Sequence, residues 1–371
     1  MFVLYMDYLV CCGGSGVVSG IAGIGDFRKA LPELAAAAME IQWGENPELA
    51  ARYGAVGRGK CEQDTQYHLS YLAEALQGAS YTLFREYIAW AKVLLESLGL
   101  DSRHFKDNLQ ILSRTMDTHT AGELRSTAMD YLNRAAEELE SMPSTIASFI
   151  TAENPLKGLA SGYLEDLLAG DRRKASERIL DAVAAGTGVA DVYRWVFEVS
   201  QREIGRLWQI NKLSVAQEHF CTAATQMVMC QLYPQILGGR KTGGVFVGAC
   251  VSGELHEIGL RMVTDFFEMA GWDTHFLGAN TPAGSVLDHV EKVGAHVVGV
   301  SATVTPHVEL VRRFIADLRS RPSLKGVGVI VGGYPFNREQ ELWRTVGADG
   351  FASNADAAIL WANGRYAAQG I

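Results

Sequence analysis

The feature that most constrains the fold is an alternation of short apolar segments with amphipathic segments, which begins at residue 244 of the 371-residue chain. Near-continuous apolar runs such as GVFVGACV indicate strands that are buried on both faces of a sheet. Strands that alternate with helices form parallel sheets, because each helix returns the chain to the same edge. The sequence therefore predicts an α/β domain at 243–371 with a five-stranded, doubly wound parallel sheet. The predicted strands cover 244–251, 272–277, 295–301, 326–331 and 349–351.

The loop after the first predicted strand reads SGELHEIG and places His256 just before an amphipathic helix. Open α/β sheets bind ligands at the carboxyl ends of their strands, which is where this loop lies. Glu254 can accept a hydrogen bond from one ring nitrogen of His256, which would orient the ring for a metal and raise its basicity. We therefore expect His256 to ligate a metal, although a surface pair is the alternative for the hexapeptide alone. The neighbouring residues expected to contact the bound group are Gly253, Leu255, Glu257, Ile258 and Gly259.

Polar residues and glycines follow two other predicted strands. Hydroxyl and imidazole side chains follow the third strand, and a double glycine follows the fourth. Backbone and side-chain donors at these strand ends would line a slot that holds a polar extension of the ligand. The residues expected in this slot are Ser301, Thr303, Thr305, His307, Gly332 and Gly333.

These three segments resemble the cobalamin-binding domain, whose pattern is D-x-H-x-x-G, then S-x-L, then G-G, and the resemblance covers residues 241–371. It implies a flavodoxin-like fold that holds cobalamin with its dimethylbenzimidazole base displaced and with His256 as the lower cobalt ligand. It also implies that Ser301 and Thr305 lie beside the buried nucleotide tail and that Gly332 and Gly333 make room for it.

The sequence departs from this pattern at three positions. Glu254 replaces the usual Asp, Thr303 replaces the usual Leu, and His307 stands where a small hydroxyl often completes the hydrogen-bond relay. Because Glu254 has a longer side chain than Asp, we expect the geometry of the relay to differ while cobalt ligation is retained.

Upstream of the sheet, apolar residues recur at intervals of three and four, as at Ile179, Val183, Val192 and Val196. This periodicity predicts a four-helix bundle over 155–238. The glycine-rich segment 238–244 is the predicted linker to the sheet. The predicted helices cover 156–169, 172–185, 189–209 and 213–237.

Inside the bundle, the spacing W-x9-E-H of Trp208, Glu218 and His219 is similar to the signature of the CarH/LitR class of adenosylcobalamin photoreceptors. The resemblance implies that Trp208 covers the upper face of the corrin and that Glu218 and His219 make polar contacts there. Gln209 replaces the histidine that binds cobalt after illumination in classical members. We therefore expect the lit form to carry water or hydroxide, or to recruit His219. The alternative is an interior tryptophan with a polar helix face.

These resemblances predict a light sensor without catalytic activity of its own, in which photolysis of the Co–C bond changes the packing of the bundle and the oligomeric state. The first alternative is a corrinoid protein that carries methyl groups for a methyltransferase, and the small subunit of a mutase is another. The expected partners are small-molecule chromophores, further copies of this chain in a light-dependent oligomer, and a downstream effector.

Residues 26–150 are predicted to form a separate all-helical domain with helix-spaced aromatic residues, a pattern more typical of a core than of a cofactor site. Its position and length resemble photocobilins, photoreceptors that pair a cobalamin domain with an N-terminal globin-like domain that binds biliverdin. A tetrapyrrole needs a flat aromatic slot and a cation for its propionates. Bilin, haem and no ligand all stay open, and Cys61 is a less favoured attachment point. The residues expected to contact a bilin are Tyr67, His68, Tyr71 and Arg85.

The composition argues against several other classes of protein. The formal net charge of −9 argues against direct binding of nucleic acid. Residues 1–25 form an apolar but glycine-interrupted segment, which predicts a flexible tail and no membrane attachment. The six cysteines include no C-x-x-C pair, which indicates reduced thiols in a cytoplasmic protein.

Overall fold

The computed structural model describes residues 20–238 and 241–368. Nearly all of the predicted flexible tail therefore lies outside the described residues. The chain divides into two compact units. The first contains the helices before Ser144 together with Val304–Leu310 and Arg338–Val346. The second contains Thr145–Thr303, Val311–Asn337 and the chain from Gly347 onward.

The N-terminal part of the first unit is helical, as the sequence predicts. Two helix starts are capped by side chains, because Ser80 accepts a hydrogen bond from the N–H of Leu83 and Asp101 accepts one from the N–H of Arg103. The longest helix contains a kink at Gly54, which has a positive φ of 59°. The helices are α1 (Ile24–Lys29), α2 (Leu31–Glu45), α3 (Pro47–Gln77), α4 (Tyr81–Ser97), α5 (Ser102–His119), α6 (Gly122–Glu138) and the 3-10 turn Leu139–Ser141.

The second unit begins with the predicted bundle, which differs from the prediction in two helices. The third predicted helix includes a π-helical turn at Tyr193–Phe197. The fourth is divided at Leu232, because Pro234 has no N–H to continue the helical hydrogen bonds. The bundle consists of α7 (Lys157–Leu168), α8 (Arg172–Ala184), α9 (Val189–Val192), the π turn, α10 (Glu198–Gln209), α11 (Val215–Gln231) and α12 (Tyr233–Ile236).

In the described residues, the rest of the second unit is built around one parallel sheet of five strands in the order β2-β1-β3-β4-β5. This is the predicted flavodoxin-like order, in which β1 and β3 flank the point where the strand order reverses. The strands are β1 (Val245–Cys250), β2 (Asp273–Phe276), β3 (Val297–Ser301), β4 (Gly328–Gly332) and β5 (Gly350–Phe351). The helices after residue 241 are α13 (Ile258–Met269), α14 (Ala283–Val293), α15 (Val308–Ser320), α16 (Tyr334–Arg338), α17 (Leu342–Thr345) and α18 (Ala355–Ala368), with 3-10 turns at Thr305–His307 and Pro322–Leu324.

Helix α13 belongs to two hydrophobic clusters at once. Met262 and Phe266 are part of the buried cluster of the bundle. Phe267 instead stacks on Phe246 of β1, with ring centroids 3.9 Å apart, inside the cluster of the sheet. The bundle and the sheet therefore share this helix as a common wall.

A buried carboxylate adds a polar connection to this wall. Asp265 of α13 accepts hydrogen bonds from the hydroxyls of Tyr193 (2.9 Å) and Tyr233 (2.7 Å), both of which come from the bundle. Asp265 is only 2% exposed, and desolvation raises its pKa against the effect of these two donors. The π turn contains Tyr193 and therefore helps to determine where this hydroxyl points.

Across residues 20–238 and 241–368, every helix is too short or too polar to cross a membrane.

Candidate functional site

His256 lies in the loop that joins the carboxyl end of β1 to α13, as the sequence predicts. The chain turns directly after the strand, where Gly253 has a positive φ of 80° and the N–H of Glu254 donates to the carbonyl of Val251 at 3.0 Å. The side chain of His256 is 43% exposed, whereas that of Glu254 is fully buried. The loop therefore presents an accessible imidazole that rests on a buried carboxylate.

Glu254 contacts His256 with one carboxylate oxygen and the loop after β3 with the other. Oε1 lies 2.5 Å from the imidazole Nδ1 and also accepts the backbone N–H of His256 at 2.9 Å. Oε2 accepts the backbone N–H of Thr303 at 2.7 Å. The longer side chain that replaces the usual Asp thus still reaches the ring. Because Nδ1 is engaged by Glu254, a metal would bind at Nε2.

Electrostatics at His256 follow from the same contacts. Desolvation lowers the pKa of His256, but the hydrogen bond and charge of Glu254 and the charge of Glu218 raise it, and the net pKa is above the usual value. The bundle helix α11 lies close to the ligand loop, since its Gln226 donates a hydrogen bond to Glu257.

Glu257 was expected to contact the cofactor, but its carboxylate joins protein segments. Its Oε1 accepts a hydrogen bond from the side-chain amide of Gln226 on α11 at 2.8 Å. Its Oε2 accepts the backbone N–H of Ala279, in the loop after β2, at 2.7 Å. Asn280, also in the loop after β2, supports the loop that contains His256. Its Oδ1 accepts the N–H of Gly253 at 2.8 Å, and its N–H donates to the carbonyl of Glu254 at 2.9 Å.

The sequence analysis did not identify Gln226, Ala279 or Asn280 as part of the site. The sequence offered one clue to Asn280, which is an asparagine shortly after the end of β2. Asparagine is enriched at positive φ, and Asn280 has a φ of 48°. Ala279 contributes only its backbone N–H, which no side-chain motif reveals.

The predicted slot at the strand ends is partly assembled in the second unit. Cys250, Ser301 and Gly332 are direct neighbours in the register of β1, β3 and β4, so these strands end at the same level. Gly333 has a positive φ of 101°, and a Cβ atom there would lie 2.0 Å from the carbonyl oxygen of Ala302. A side chain is therefore excluded at this point, because the chain after β4 packs directly against the backbone after β3.

The other loop residues occupy positions at the edge of this site. Leu255 is 40% exposed. A Cβ atom at Gly259 would meet no described atom within 4 Å, so there is open space over the start of α13 at Ile258. An exposed apolar residue and an open helix start beside the imidazole suit a large, flat ligand.

Two residues expected in the slot are grouped with the first unit. Thr305 and His307 lie in the 3-10 turn at Thr305–His307, and both are buried. Their predicted contact with a nucleotide tail stays a prediction.

The bundle residues Glu218 and His219 lie on α11 and pair with each other, with 2.8 Å between Oε2 and Nδ1. The other oxygen of Glu218 accepts a hydrogen bond from Thr222 at 3.0 Å. Trp208, at the end of α10, is half-buried and packs against the bundle cluster. All three residues belong to the helices that precede the sheet, and Glu218 is close enough to influence His256 electrostatically.

The ring-bearing residues expected to contact a bilin lie in a packed aromatic cluster. His68 Nδ1 lies 2.7 Å from the hydroxyl of Tyr87, and Tyr71 stacks on Tyr87 with ring centroids 3.6 Å apart. Tyr67 is buried, and Arg85 forms an ion pair with Glu138 at 2.8 Å. The rings therefore fill the space between one another, which is the arrangement of a helical core rather than of a flat slot.

Comparison with known proteins identifies the family. Residues 159–233 and 244–360 each match a family model described as B12 binding domain. Dimethylamine corrinoid protein 3 of Methanosarcina mazei is 31% identical over 163 residues, which cover 42% of this chain and 94% of that protein. Dimethylamine corrinoid protein 2 of the same organism is 32% identical over 160 residues, which cover 42% and 73%. The chain belongs to the corrinoid proteins.

The fold agrees with a solved structure of this family. The monomethylamine corrinoid protein of Methanosarcina barkeri is 21% identical and has a TM-score of 0.50, with 56% of this chain and 98% of that chain covered. The two matched B12 binding segments begin at residue 159, so α1 to α6 of this corrinoid protein precede them. A cobalamin-type cofactor, the helical bundle and the parallel sheet are confirmed predictions.

The prediction of a light sensor was wrong. The relatives at 31–32% identity are named dimethylamine corrinoid proteins, which contradicts the CarH/LitR and photocobilin resemblances. The predicted bilin chromophore, signalling role, chromophore partners, light-dependent oligomer and downstream effector are contradicted with them. The physical reason is that the spacing of Trp208, Glu218 and His219 carries no information on which upper ligand a bound corrin would have.

Proposed function

We propose that this corrinoid protein carries methyl groups on a cobalamin-type cofactor and exchanges them with a methyltransferase, without catalysing the transfer itself. The observation that supports this most directly is the exposed imidazole of His256 held by the buried Glu254, in a chain whose relatives are named dimethylamine corrinoid proteins. A methylated amine is the first methyl donor to test. The predicted cytoplasmic location is part of this proposal.

In this proposal, His256 is the lower cobalt ligand and binds through Nε2. When bound, the cobalt supplies the centre that accepts and releases the methyl group. Glu254 fixes the ring orientation through Nδ1, and its second oxygen anchors the carboxylate to Thr303. The carboxylate also increases the basicity of the imidazole, which would make Nε2 a stronger ligand for the metal.

The walls of the proposed site come from both parts of the second unit. Leu255 and Gly259 would face the corrin, and Ser301, Gly332 and Gly333 would line the slot for its nucleotide tail. Trp208, Glu218 and His219 would lie over the upper face, where they limit access of water to the methyl group. A methyltransferase would have to reach that face past the helices that carry these residues.

The test is reconstitution of the full chain with hydroxocobalamin, followed by reduction to Co(II) and electron paramagnetic resonance. Protein labelled with ¹⁵N-histidine should give a doublet nitrogen splitting from one axial imidazole, where unlabelled protein gives a triplet. His256→Ala should remove this splitting, whereas His289→Ala on α14, a half-buried histidine, should retain it. An unchanged imidazole signal in His256→Ala would refute the assignment of the lower ligand.

The methyl-carrying role is tested separately. The loaded protein, reduced further to Co(I), is incubated with dimethylamine and a candidate amine methyltransferase from the same source, and methylcobalamin formation is followed by absorbance. Formation that requires both the amine and the methyltransferase supports the proposal. Correct imidazole ligation without methylation by any methylated amine, methanol or methylthiol system would refute the methyl-carrying role while leaving the ligand assignment intact.

A further inference from the structure

We propose that Glu257 is a positioning residue that couples the placement of the bundle to the placement of the cobalt-ligand loop. Its carboxylate forms a bridge, here called the Glu257 bridge, between Gln226 of α11 and the backbone of Ala279 after β2. The proposal rests on the assignment of His256 as the lower ligand. It assigns a role to a side chain that sequence analysis placed among the cofactor contacts.

The geometry leaves each oxygen of Glu257 with a separate task. Oε1 accepts the amide of Gln226 at 2.8 Å, and Oε2 accepts the N–H of Ala279 at 2.7 Å. Both are hydrogen bonds to an ionised acceptor, which are shorter and stronger than bonds between neutral groups. Gly278 lies close to the same carboxylate, because a Cβ atom at Gly278 would be 3.0 Å from Oε2 of Glu257.

The two carboxylates tie the loop that contains His256 to the loops after β3 and β2, the two strands that flank β1 in the sheet. Glu254 ties the loop to Thr303 after β3, and Glu257 ties it to Ala279 after β2. Glu257 also accepts a hydrogen bond from the bundle, through Gln226. A displacement of α11 must therefore break that bond or pull on the residue next to His256.

The position of the Glu257 bridge along α11 explains why it would sense movement. Glu218 lies in the first turn of α11 and acts on His256 through its charge, while Gln226 lies two turns further along the same helix. Near its other end, the bundle is fixed to α13 through Tyr193, Tyr233 and Asp265. The end of the bundle fixed to α13 would serve as the pivot. The Glu257 bridge, which lies between this pivot and the residues proposed to cover the corrin, would hold α11 in its observed position against the ligand loop.

The first readout is amide hydrogen exchange of the full chain without cofactor, which needs no assumption about cobalt. Gln226→Leu removes the donor and retains Glu257–Ala279, so exchange in α11 should accelerate about ten- to a hundredfold, the range expected when a hydrogen bond to a charged group is lost. Exchange at 253–259 should accelerate with it. Gln235→Leu, an exposed glutamine in the next helix, is the matched control and should leave both segments unchanged.

The pairing is tested by Glu257→Gln and by the double variant. If Gln226 and Glu257 act through their shared bond, α11 in the double variant should exchange no faster than in the more affected single variant. Additive effects on α11, or exchange as slow as in the unaltered chain, would overturn the proposal.

The second readout is the Co(II) resonance spectrum of the reconstituted protein. Gln226→Leu should lower the fraction of cobalt with axial imidazole, a spectroscopic change that loss of stability elsewhere would not produce. If the unaltered chain lacks an axial imidazole, the ligand assignment fails while the exchange experiment still decides on the Glu257 bridge. If the imidazole fraction is unchanged in Gln226→Leu despite faster α11 exchange, the coupling to His256 is wrong.

Discussion

Replacement of Glu254 by alanine is the perturbation with the clearest expected outcome, because this buried carboxylate has three identified donors. They are the imidazole Nδ1 and backbone N–H of His256 and the backbone N–H of Thr303. In Glu254→Ala the imidazole loses the partner that orients it and raises its basicity. Loss of such a partner typically weakens metal binding by about 10- to 100-fold. That factor corresponds to about 1.4–2.7 kcal/mol of binding free energy.

The same substitution should affect the protein without cofactor. A donor left without a partner in a buried position costs about 1–3 kcal/mol, although water can reach part of this half-exposed loop. We therefore expect the free energy of unfolding to fall by about 1–3 kcal/mol in total. Glu254→Gln retains the shape and one acceptor oxygen, so its losses of stability and affinity should be intermediate.

The assay combines urea unfolding of the cofactor-free protein with an absorbance titration by hydroxocobalamin. The order of affinity should be unaltered chain, then Glu254→Gln, then Glu254→Ala. Equal affinity and an equal axial imidazole signal in all three proteins would refute the conclusion that Glu254 supports the ligand, whatever its effect on stability.

Three further predictions concern other parts of the molecule. Burial lowers the pKa of His68 to about 3, so the contribution of His68 to stability is present above about pH 6.5 and is lost as pH falls. Burial raises the pKa of Asp64 to about 7, so the contribution of Asp64 is present below about pH 4 and is lost as pH rises. In Asp64→Asn the contribution of Asp64 is gone. Urea unfolding should then show that the stability of the variant, relative to the unaltered chain, decreases from pH 6.5 to 4 by up to about 1.4 kcal/mol per pH unit. Identical dependences of stability on pH in the two proteins would contradict this. Gly333→Ala should destabilise by about 1–3 kcal/mol or more from its backbone conformation alone, while Gly332→Ala, whose Cβ would meet its nearest atom at 3.3 Å, should have a smaller effect in thermal unfolding. Asp265→Asn weakens the acceptor of the buried Tyr193 hydroxyl and the part-buried Tyr233 hydroxyl. It should lower the free energy of unfolding by about 1–3 kcal/mol, which unchanged thermal unfolding would disprove.

The parallel sheet was predictable because strands buried on both faces leave long apolar runs in the sequence. The predicted and observed strands agree to within two residues at their ends, as for 295–301 against Val297–Ser301. Details of the bundle were harder to predict. Pro234 divides the last helix where periodicity alone favoured continuity, and the π turn at Tyr193–Phe197 changes the register without an evident local signal.

The candidate site shows a similar limit. The pairing of Glu254 with His256 could be predicted because both residues lie in one short loop. Gln226 comes from a distant helix and Ala279 uses its backbone, so neither partner of Glu257 can be recognised from spacing. The function was mistaken for a related reason, since the spacing of Trp208 and Glu218 does not determine which upper ligand a bound corrin would carry.

The shared position of α13 has a consequence for how this protein can be divided. A fragment that begins after the linker at 238–244 would leave Met262 and Phe266 uncovered, since these side chains pack in the bundle cluster. The isolated bundle would likewise lack the carboxylate that receives two of its tyrosine hydroxyls. Two separate family models match this region, but grafting experiments should transfer residues 145–371 as one cooperative block. Either half alone would expose an apolar surface that is prone to self-association.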